Sequence, residues 1–425
     1  MASKIIAKSA GGEASWKLSQ EVVKDDSNAG QQKFKTADLI FEPTSVPAGF
    51  SLRGDGVAIS VESADGNRND IQAADLGNTP AFDFLLDTLE ATTVNGQQKS
   101  KAVKLVAPVG NGNIIRSDVI AKRLYALEYV EKTAPFAEPL QLFEDKEWTA
   151  STSFSELFKT SLGAVRLNDA GESLPVLQKE LHNRLNLALI APGLKRKTIV
   201  ILEGGDGFPF GGNCSWQLYE GALALGYDVI AMAEEGHDLQ TKPQYKHWSK
   251  AFLPVKTGYD AEFPSRIAEA VKSYGKPVDG IVTYFESFHT SLAAAAELLG
   301  LAHEPVSAYD IATNKYKISE FEGRNSFKAS STEEAIKIAK TEDVPWPIIV
   351  KPSRGWASEL VFKVNNAEEL EATAPRMNDA RHGSEFVMEH YCDGPEVDIN
   401  IVLYDGKVVF WGRFYNYFIP TDILI

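Results

Sequence analysis

The residues best equipped for chemistry lie in one stretch, Pro347-Ile348-Ile349-Val350-Lys351-Pro352-Ser353-Arg354-Gly355-Trp356-Ala357-Ser358. An apolar run with strand character delivers a single lysine at its end, and a turn of mostly small residues follows at once. Leu360-Val361-Phe362-Lys363-Val364 then reads as a second strand. A lysine at a strand end supplies a point charge for phosphate oxygens. A turn without β-branched residues lets backbone N–H groups approach the same oxygens. The layout fits a clamp over a polyphosphate. It fits equally an ordinary hairpin whose lysine faces water, so the surrounding chain has to discriminate.

A second candidate is the glycine-rich turn Gly204-Gly205-Asp206-Gly207-Phe208-Pro209-Phe210-Gly211-Gly212, which follows the continuous apolar run Thr198-Ile199-Val200-Ile201-Leu202. A dinucleotide fingerprint needs a third glycine where this chain carries Phe210, and an acid about 20 residues on, such as Asp228, is easily met by chance. That reading is disfavoured. The turn still sits at the carboxyl end of a strand, where open α/β sheets bind ligands. Glu286 takes the equivalent place after Gly280-Ile281-Val282-Thr283-Tyr284-Phe285. Gly205, Gly207 and Glu286 are therefore candidate substrate contacts, and each is as consistent with a structural turn.

The elements that must position these residues define an α/β chain of several domains. Residues 1–193 read as an α+β module. Short alternating runs between residues 15 and 65 suggest antiparallel strands, and Phe82–Leu89, Val119–Leu127 and Val176–Leu187 carry helical patterns. Pro192-Gly193 marks a boundary. Across residues 194–306 apolar strands alternate with helices, ending with the alanine-rich helix Thr290–Leu299 before Gly300, as in right-handed βαβ units on a parallel sheet. The last domain, 307–425, divides into a helical segment 307–344, the lysine strand and its turn within 345–384, and a core beginning at 385. Ser331 with Glu334, and Asn366 with Glu369, carry helix-start signals. Glu385–Glu389 reads as a strand. Val397–Tyr404 begins with the alternation of a half-buried strand, and Asp405-Gly406 is a two-residue hairpin turn.

The totals exclude several classes. At 425 residues the chain can bury more than one core, and a formal charge of −15 argues against broad binding of nucleic acid or an anionic membrane while leaving room for a local basic pocket. Cys214 and Cys392, the two cysteines, form neither a metal-ligand spacing nor a disulfide framework. The N-terminus lacks the apolar core of a signal peptide, and no run reaches membrane-spanning length. A cytoplasmic protein acting on small molecules is the expectation.

The order of segments across residues 198–412 resembles the ATP-grasp carboxylate–amine ligases. A parallel-sheet module comes first, then Thr313-Asn314-Lys315-Tyr316-Lys317. Val350-Lys351-Pro352 with its turn follows, and last comes Phe386-Val387-Met388-Glu389-His390-Tyr391-Cys392-Asp393-Gly394-Pro395-Glu396-Val397-Asp398. The leading domain is similar to that of carnosine-synthase-like members. The resemblance implies a pre-ATP-grasp domain at 194–306, a partial ATP-grasp fold at 307–425, and ATP with Mg²⁺. It also implies roles. Lys315 and Lys351 contact phosphates, with Lys351 also near the adenine. Glu389 and Cys392 border the adenine, and Glu396 takes the ribose hydroxyls. Gly355, Trp356 and Ser358 belong to the turn that closes over the triphosphate.

Small-molecule acid and amine substrates and a homodimer go with the same reading. The expected product is a peptide-like compound or secondary metabolite. Two departures bear on it. The family's lid carries glycines where this chain has Ala357 and Leu360, and Leu360 is expected to deny the positive φ that glycine permits. The family's acidic metal ligands, including a Glu-x-Asn pair, lie beyond the Asp405-Gly406 hairpin. The last twelve residues, 414–425, offer only Asp422. No metal ligands are identified, and a chain cut short of that site is the expectation. The alternative is an inactive remnant that at most binds nucleotide or substrate.

Overall fold

Alternating apolar and polar residues near the N-terminus build a mostly antiparallel architecture before the chain changes period. The computed structural model describes residues 3–23, 33–53, 56–63, 66–94, 96–204, 215–258, 260–355, 358–378, 382–394 and 397–415. By internal contact the chain divides into two units. One comprises Met1–Ile199, Cys214–Ile230 and Lys242–Ala251; the other comprises Val200–Asn213, Ala231–Thr241 and Phe252–Ile425.

An eight-stranded sheet runs in the order Val130–Pro135, Gly163–Leu167, Lys101–Pro108, Phe34–Ser45, Gly12–Val23, Ser3–Ser9, Ala58–Glu62, Arg68–Ile71, with every neighbouring pair antiparallel. Phe41 on one face meets Phe154 of helix Phe154–Lys159. Thr36, of opposite parity, donates to Gln178 of helix Leu174–Arg184 at 3.0 Å. Helices therefore lie against both faces. The strand Lys101–Pro108 is buried at every position, so its Lys104 needs a counter-ion, which the cross-strand Asp38 supplies.

The change of period at Thr198–Leu202 produces a four-stranded sheet in the order Ala251–Pro254, Asp228–Ala233, Thr198–Leu202, Gly280–Thr283. Hydrogen bonds from Asp228 N to Lys197 O and from Glu203 N to Met232 O, both 2.8 Å, show that the two central strands run in the same direction. Bonds from Lys250 N to Val229 O and Val255 N to Ala233 O, also 2.8 Å, do the same for the edge pair. The first strand of this module lies between its second and fourth, so winding reverses at the edge shared with Gly280–Thr283. That is the switch point where such sheets open a crevice at their carboxyl ends. Asp228, the acid at the dinucleotide spacing, is held by Lys250 at 2.7 Å and Arg196 at 3.3 Å.

The third sheet carries the lysine strand. Its order is Ser326–Ala329, Phe386–His390, Ile348–Pro352, Phe362–Val364, all antiparallel. Ser326–Ala329 corrects the reading of 307–344 as purely helical. The three helices there are Val306–Ala312, Lys315–Phe321 and Thr332–Thr341. A four-residue run is too short for periodicity to separate strand from helix, and its pairing with Phe386–His390 decides. The two predicted helix starts stand: Ser331 accepts from Glu334 N at 3.2 Å and Asn366 from Glu369 N at 2.9 Å. Helices Thr332–Thr341 and Ala367–Thr373 bury Ala335 and Leu370 against Ile348, Val350, Phe386 and Met388 on one sheet face.

A separate hairpin pairs Val397–Tyr404 with Lys407–Tyr415 around Asp405-Gly406, where both residues take positive φ, +49° and +71°. The expectation of a half-buried strand is corrected here. Ile399, Ile401 and Leu403, of one parity, and Val402 and Tyr404, of the other, are all exposed, because no other described strand pairs with the hairpin. Among the described residues no helix is long and apolar enough to cross a membrane.

Gly204 lies two residues beyond the strand Thr198–Leu202, where space is scarce. A Cβ there would lie 2.3 Å from Cε2 of Phe288 and 2.9 Å from Cδ1 of Phe285, and Phe288 is itself wedged edge-on against Phe263. Gly204→Ala is expected to destabilise the fold by about 1–3 kcal/mol, with Phe288→Leu in the same chain recovering part of the loss. Urea unfolding of the single and double variants measures this.

Candidate functional site

Burial along Ile348–Pro352 alternates, so Ile348, Val350 and Pro352 enter the core while Ile349 and Lys351 occupy the opposite face. In register, Lys351 stands across from Val387 and Ile349 across from Glu389. Lys351 and Glu389 are therefore diagonal neighbours on the face away from helices Thr332–Thr341 and Ala367–Thr373. Their side chains form an ion pair and are only 22% and 18% exposed. Ser319, from helix Lys315–Phe321, donates to the other carboxylate oxygen of Glu389 at 3.3 Å.

Lys315 reaches the same surface from a helix start. Asn314 caps that helix by accepting from Lys317 N at 3.0 Å, and its amide donates to Glu385 at 3.1 Å. The backbone N–H of Lys315 donates to the Ser353 carbonyl at 2.8 Å, and its ammonium donates to the Gly355 carbonyl at 3.0 Å. One end of the lysine strand is thus tied to the first turn of a helix by main chain and side chain together. Burial holds the Lys315 ammonium below the usual lysine range. Glu286 and then Glu389 oppose that shift, while the Lys351 charge adds to it. Two ammonium groups and two carboxylates share one electrostatic neighbourhood, and an anion binding there must exchange for partners the lysines already hold.

Arg354 extends the tie. It donates to Thr313 Oγ1 and to Asp310, both at 2.6 Å, and Asp310 also pairs with Lys317. The Lys317 hydrogen bond, joined by the charges of Lys317 and Arg354, holds the Asp310 carboxyl below its ordinary range against the opposing effect of burial. Ser358 and Leu360 take left-handed conformations, φ +55° and +57°. This corrects the expectation that Leu360 would refuse a positive φ. The backbone follows the turn and accepts the strain, of order 1–3 kcal/mol for each such residue.

Of the residues singled out in sequence, Lys315, Lys351, Gly355 and Glu389 come together. Glu286 lies within their field, exposed in the short turn Glu286–Phe288 that follows the switch-point strand. Cys392 is exposed beyond the end of Phe386–His390. Gly205, Gly207, Trp356 and Glu396 lie outside the described residues. Sequence reasoning passed over Ser319 and Glu385. Asn314 was recoverable, because asparagine before a helical run is a cap signal; Ser319 carried no local signal at all. Among the described residues no group of three or more His, Cys, Asp or Glu side chains is arranged to hold a metal ion.

Residues 219–303 match the ATP-grasp N-terminal domain. The chain is 38% identical over 323 residues to the ATP-grasp enzyme fsqD of Aspergillus fumigatus, an alignment that takes in 73% of this chain and 56% of that enzyme. It is 23% identical over 233 residues to a D-alanine–D-alanine ligase of Francisella philomiragia, covering 53% of this chain and 68% of that ligase. Among solved structures, the L-amino acid ligase of Bacillus licheniformis aligns over 53% of this chain and 52% of its own, with 24% identity and a TM-score of 0.39. The chain spans little more than half the length of the fungal enzyme.

Glu385 gives this neighbourhood a pH signature. Burial pushes its carboxyl up, but the hydrogen bond from Asn314 and the charge of Lys328, 3.6 Å away, outweigh burial and hold it below its ordinary 4.5. A depressed carboxylate contributes stability that is present above the unfolded value and lost as pH falls through the folded one. Glu385→Gln is expected to flatten the acid limb of the thermal midpoint below about pH 4.5 and leave its slope near neutrality unchanged. Calorimetry of both proteins across that range checks the difference.

Proposed function

We propose that this chain, a member of the ATP-grasp family, carries the nucleotide-gripping part of a ligase that joins a carboxylic acid to an amine at the expense of ATP. The observation that carries the reading is the convergence of Lys315 and Lys351 on one sheet face, beside a turn whose Gly355 carbonyl already engages one of them. Phosphate oxygens would take the places now held by that carbonyl and by Glu389, replacing one neutral acceptor and one carboxylate with the more highly charged oxygens of a triphosphate. The segment from Glu389 to Cys392 would border the adenine, Glu396 would receive the ribose hydroxyls, and the turn containing Gly355, Trp356 and Ser358 would cover the triphosphate.

Such a site needs no protein nucleophile. An oxygen of the acid attacks the γ-phosphorus of ATP and ADP departs. The amine nitrogen then attacks the acyl carbon of the resulting acyl phosphate. The C–N bond forms as inorganic phosphate leaves, and the nitrogen gives up a proton. The protein supplies orientation and charge neutralisation. An amino acid is our reading of the acid, and peptide-like or secondary metabolism the setting. Gly205, Gly207 and Glu286, at the carboxyl ends of the switch-point strands, would contact it. Mg²⁺ would share the phosphate charge, although no cluster of the described side chains is arranged to hold it. Two widely spaced cysteines favour a reducing, cytoplasmic setting.

With ATP at about 100 times its dissociation constant the wild-type chain should gain about 2.7 kcal/mol of stability. Lys351→Ala is expected to abolish the accompanying rise in thermal midpoint, and an undiminished rise in that variant would remove Lys351 from the site. Release of ADP from this chain with Mg²⁺ and a panel of amino acids separates a working ligase from a protein that only binds nucleotide.

A further inference from the structure

His382 is a buried histidine that the proposed reaction does not use. Its residue is 8% exposed, and its side chain 1%. The ring nitrogen Nε2 lies 2.7 Å from a carboxylate oxygen of Glu359. An ionised carboxylate can only accept, so Nε2 carries the proton and donates. The other side of the ring backs onto Gly355, where an added Cβ would come within 3.3 Å of Nδ1 and equally of Cβ of Pro352. Gly355 is the residue whose carbonyl receives the Lys315 ammonium.

Glu359 in turn stands between Ser358 and Leu360, the two non-glycine residues among the described ones of this segment that take left-handed backbone. Strained conformations of this kind persist only where the surroundings over-determine them. The described contacts supply that constraint at one point. A buried ring grips the side chain between the two strained residues and lies against the glycine that contacts the lysine.

We infer that His382 is a positioning residue: its ring packs against Gly355 while its hydrogen bond fixes Glu359 between Ser358 and Leu360, and these contacts together set the Gly355 carbonyl against Lys315 and so prepare the phosphate-binding surface. This rests on the nucleotide reading above for its consequence, though not for the contact itself. His382 touches no reacting atom and acts through the backbone it holds.

The test compares the wild-type chain with His382→Ala, Glu359→Ala, Glu359→Gln and the double alanine variant. Two readouts are used: hydrogen exchange of residues 358–362 without nucleotide, and the dissociation constant for ATP. Both single alanine variants are expected to exchange faster in that segment and to bind ATP about tenfold more weakly, the scale of a modest misplacement of positioned groups. The double variant should be no worse than either single one. Glu359→Gln keeps an acceptor for Nε2–H and should restore both readouts. Glu359 is partly exposed at 36%, so its variants report even if His382→Ala fails to fold. Wild-type exchange and affinity in Glu359→Ala, or full additivity in the double variant, would overturn the inference. Failure of the wild-type chain to bind ATP overturns the nucleotide reading instead, and the exchange measurement tells the two apart.

Discussion

Lys351 and Glu389 share one face of an antiparallel sheet as diagonal neighbours, both mostly withdrawn from solvent, and much of the surrounding structure follows from keeping that pair intact. Removing either partner would leave a poorly solvated charge facing the other residues of the site, a loss usually larger than the net worth of the pair. The register that sets them together depends on Ile348, Val350 and Pro352 facing the core while the intervening residues face away. A slip of one position would send Lys351 into the helices packed behind the sheet and bring Val350 out to the site. The same alternation that builds the core therefore aims the lysine.

Lys315 reaches that surface by a different route. Its place is set by a helix start, by the Asn314 cap, and by a main-chain bond to Ser353, all independent of the sheet register. Arg354, Asp310 and Lys317 bind the same two segments a second time. Two lysines from unrelated elements thus arrive with fixed backbones, and only their side chains need move to accept an anion. Preorganisation of this sort lowers the entropy lost on binding.

The turn beyond the lysine strand stores the complementary cost. Leucine and serine in left-handed conformations would relax in a free peptide, and here the ring of His382 holds the residue between them. Glycine at position 360 would remove the strain there and also the leucine side chain that packs against the core behind the sheet. The departure from a glycine-rich lid is accordingly a different solution to one geometric demand, in which side-chain contacts take over what backbone freedom would otherwise provide.

Much of this was legible before any coordinates. The alternation of strands and helices in 194–306, the caps at Ser331 and Asn366, the Asp405-Gly406 turn and the lysine at a strand end are all local. They depend on a few adjacent residues whose φ preferences, hydrogen-bonding groups and periodicity act within one or two turns of chain. The tertiary structure decided what depends on residues far apart in sequence. It paired Ser326–Ala329 as a strand, it brought Glu389 to Lys351 across 38 positions, and it set Glu359 against His382 across 23. It also left the strand Val397–Tyr404 exposed on both faces, where its alternation alone implied a half-buried one. Sequence patterns report what a segment can become. Which partner it meets is fixed by packing and register, and those exist only once the chain has folded.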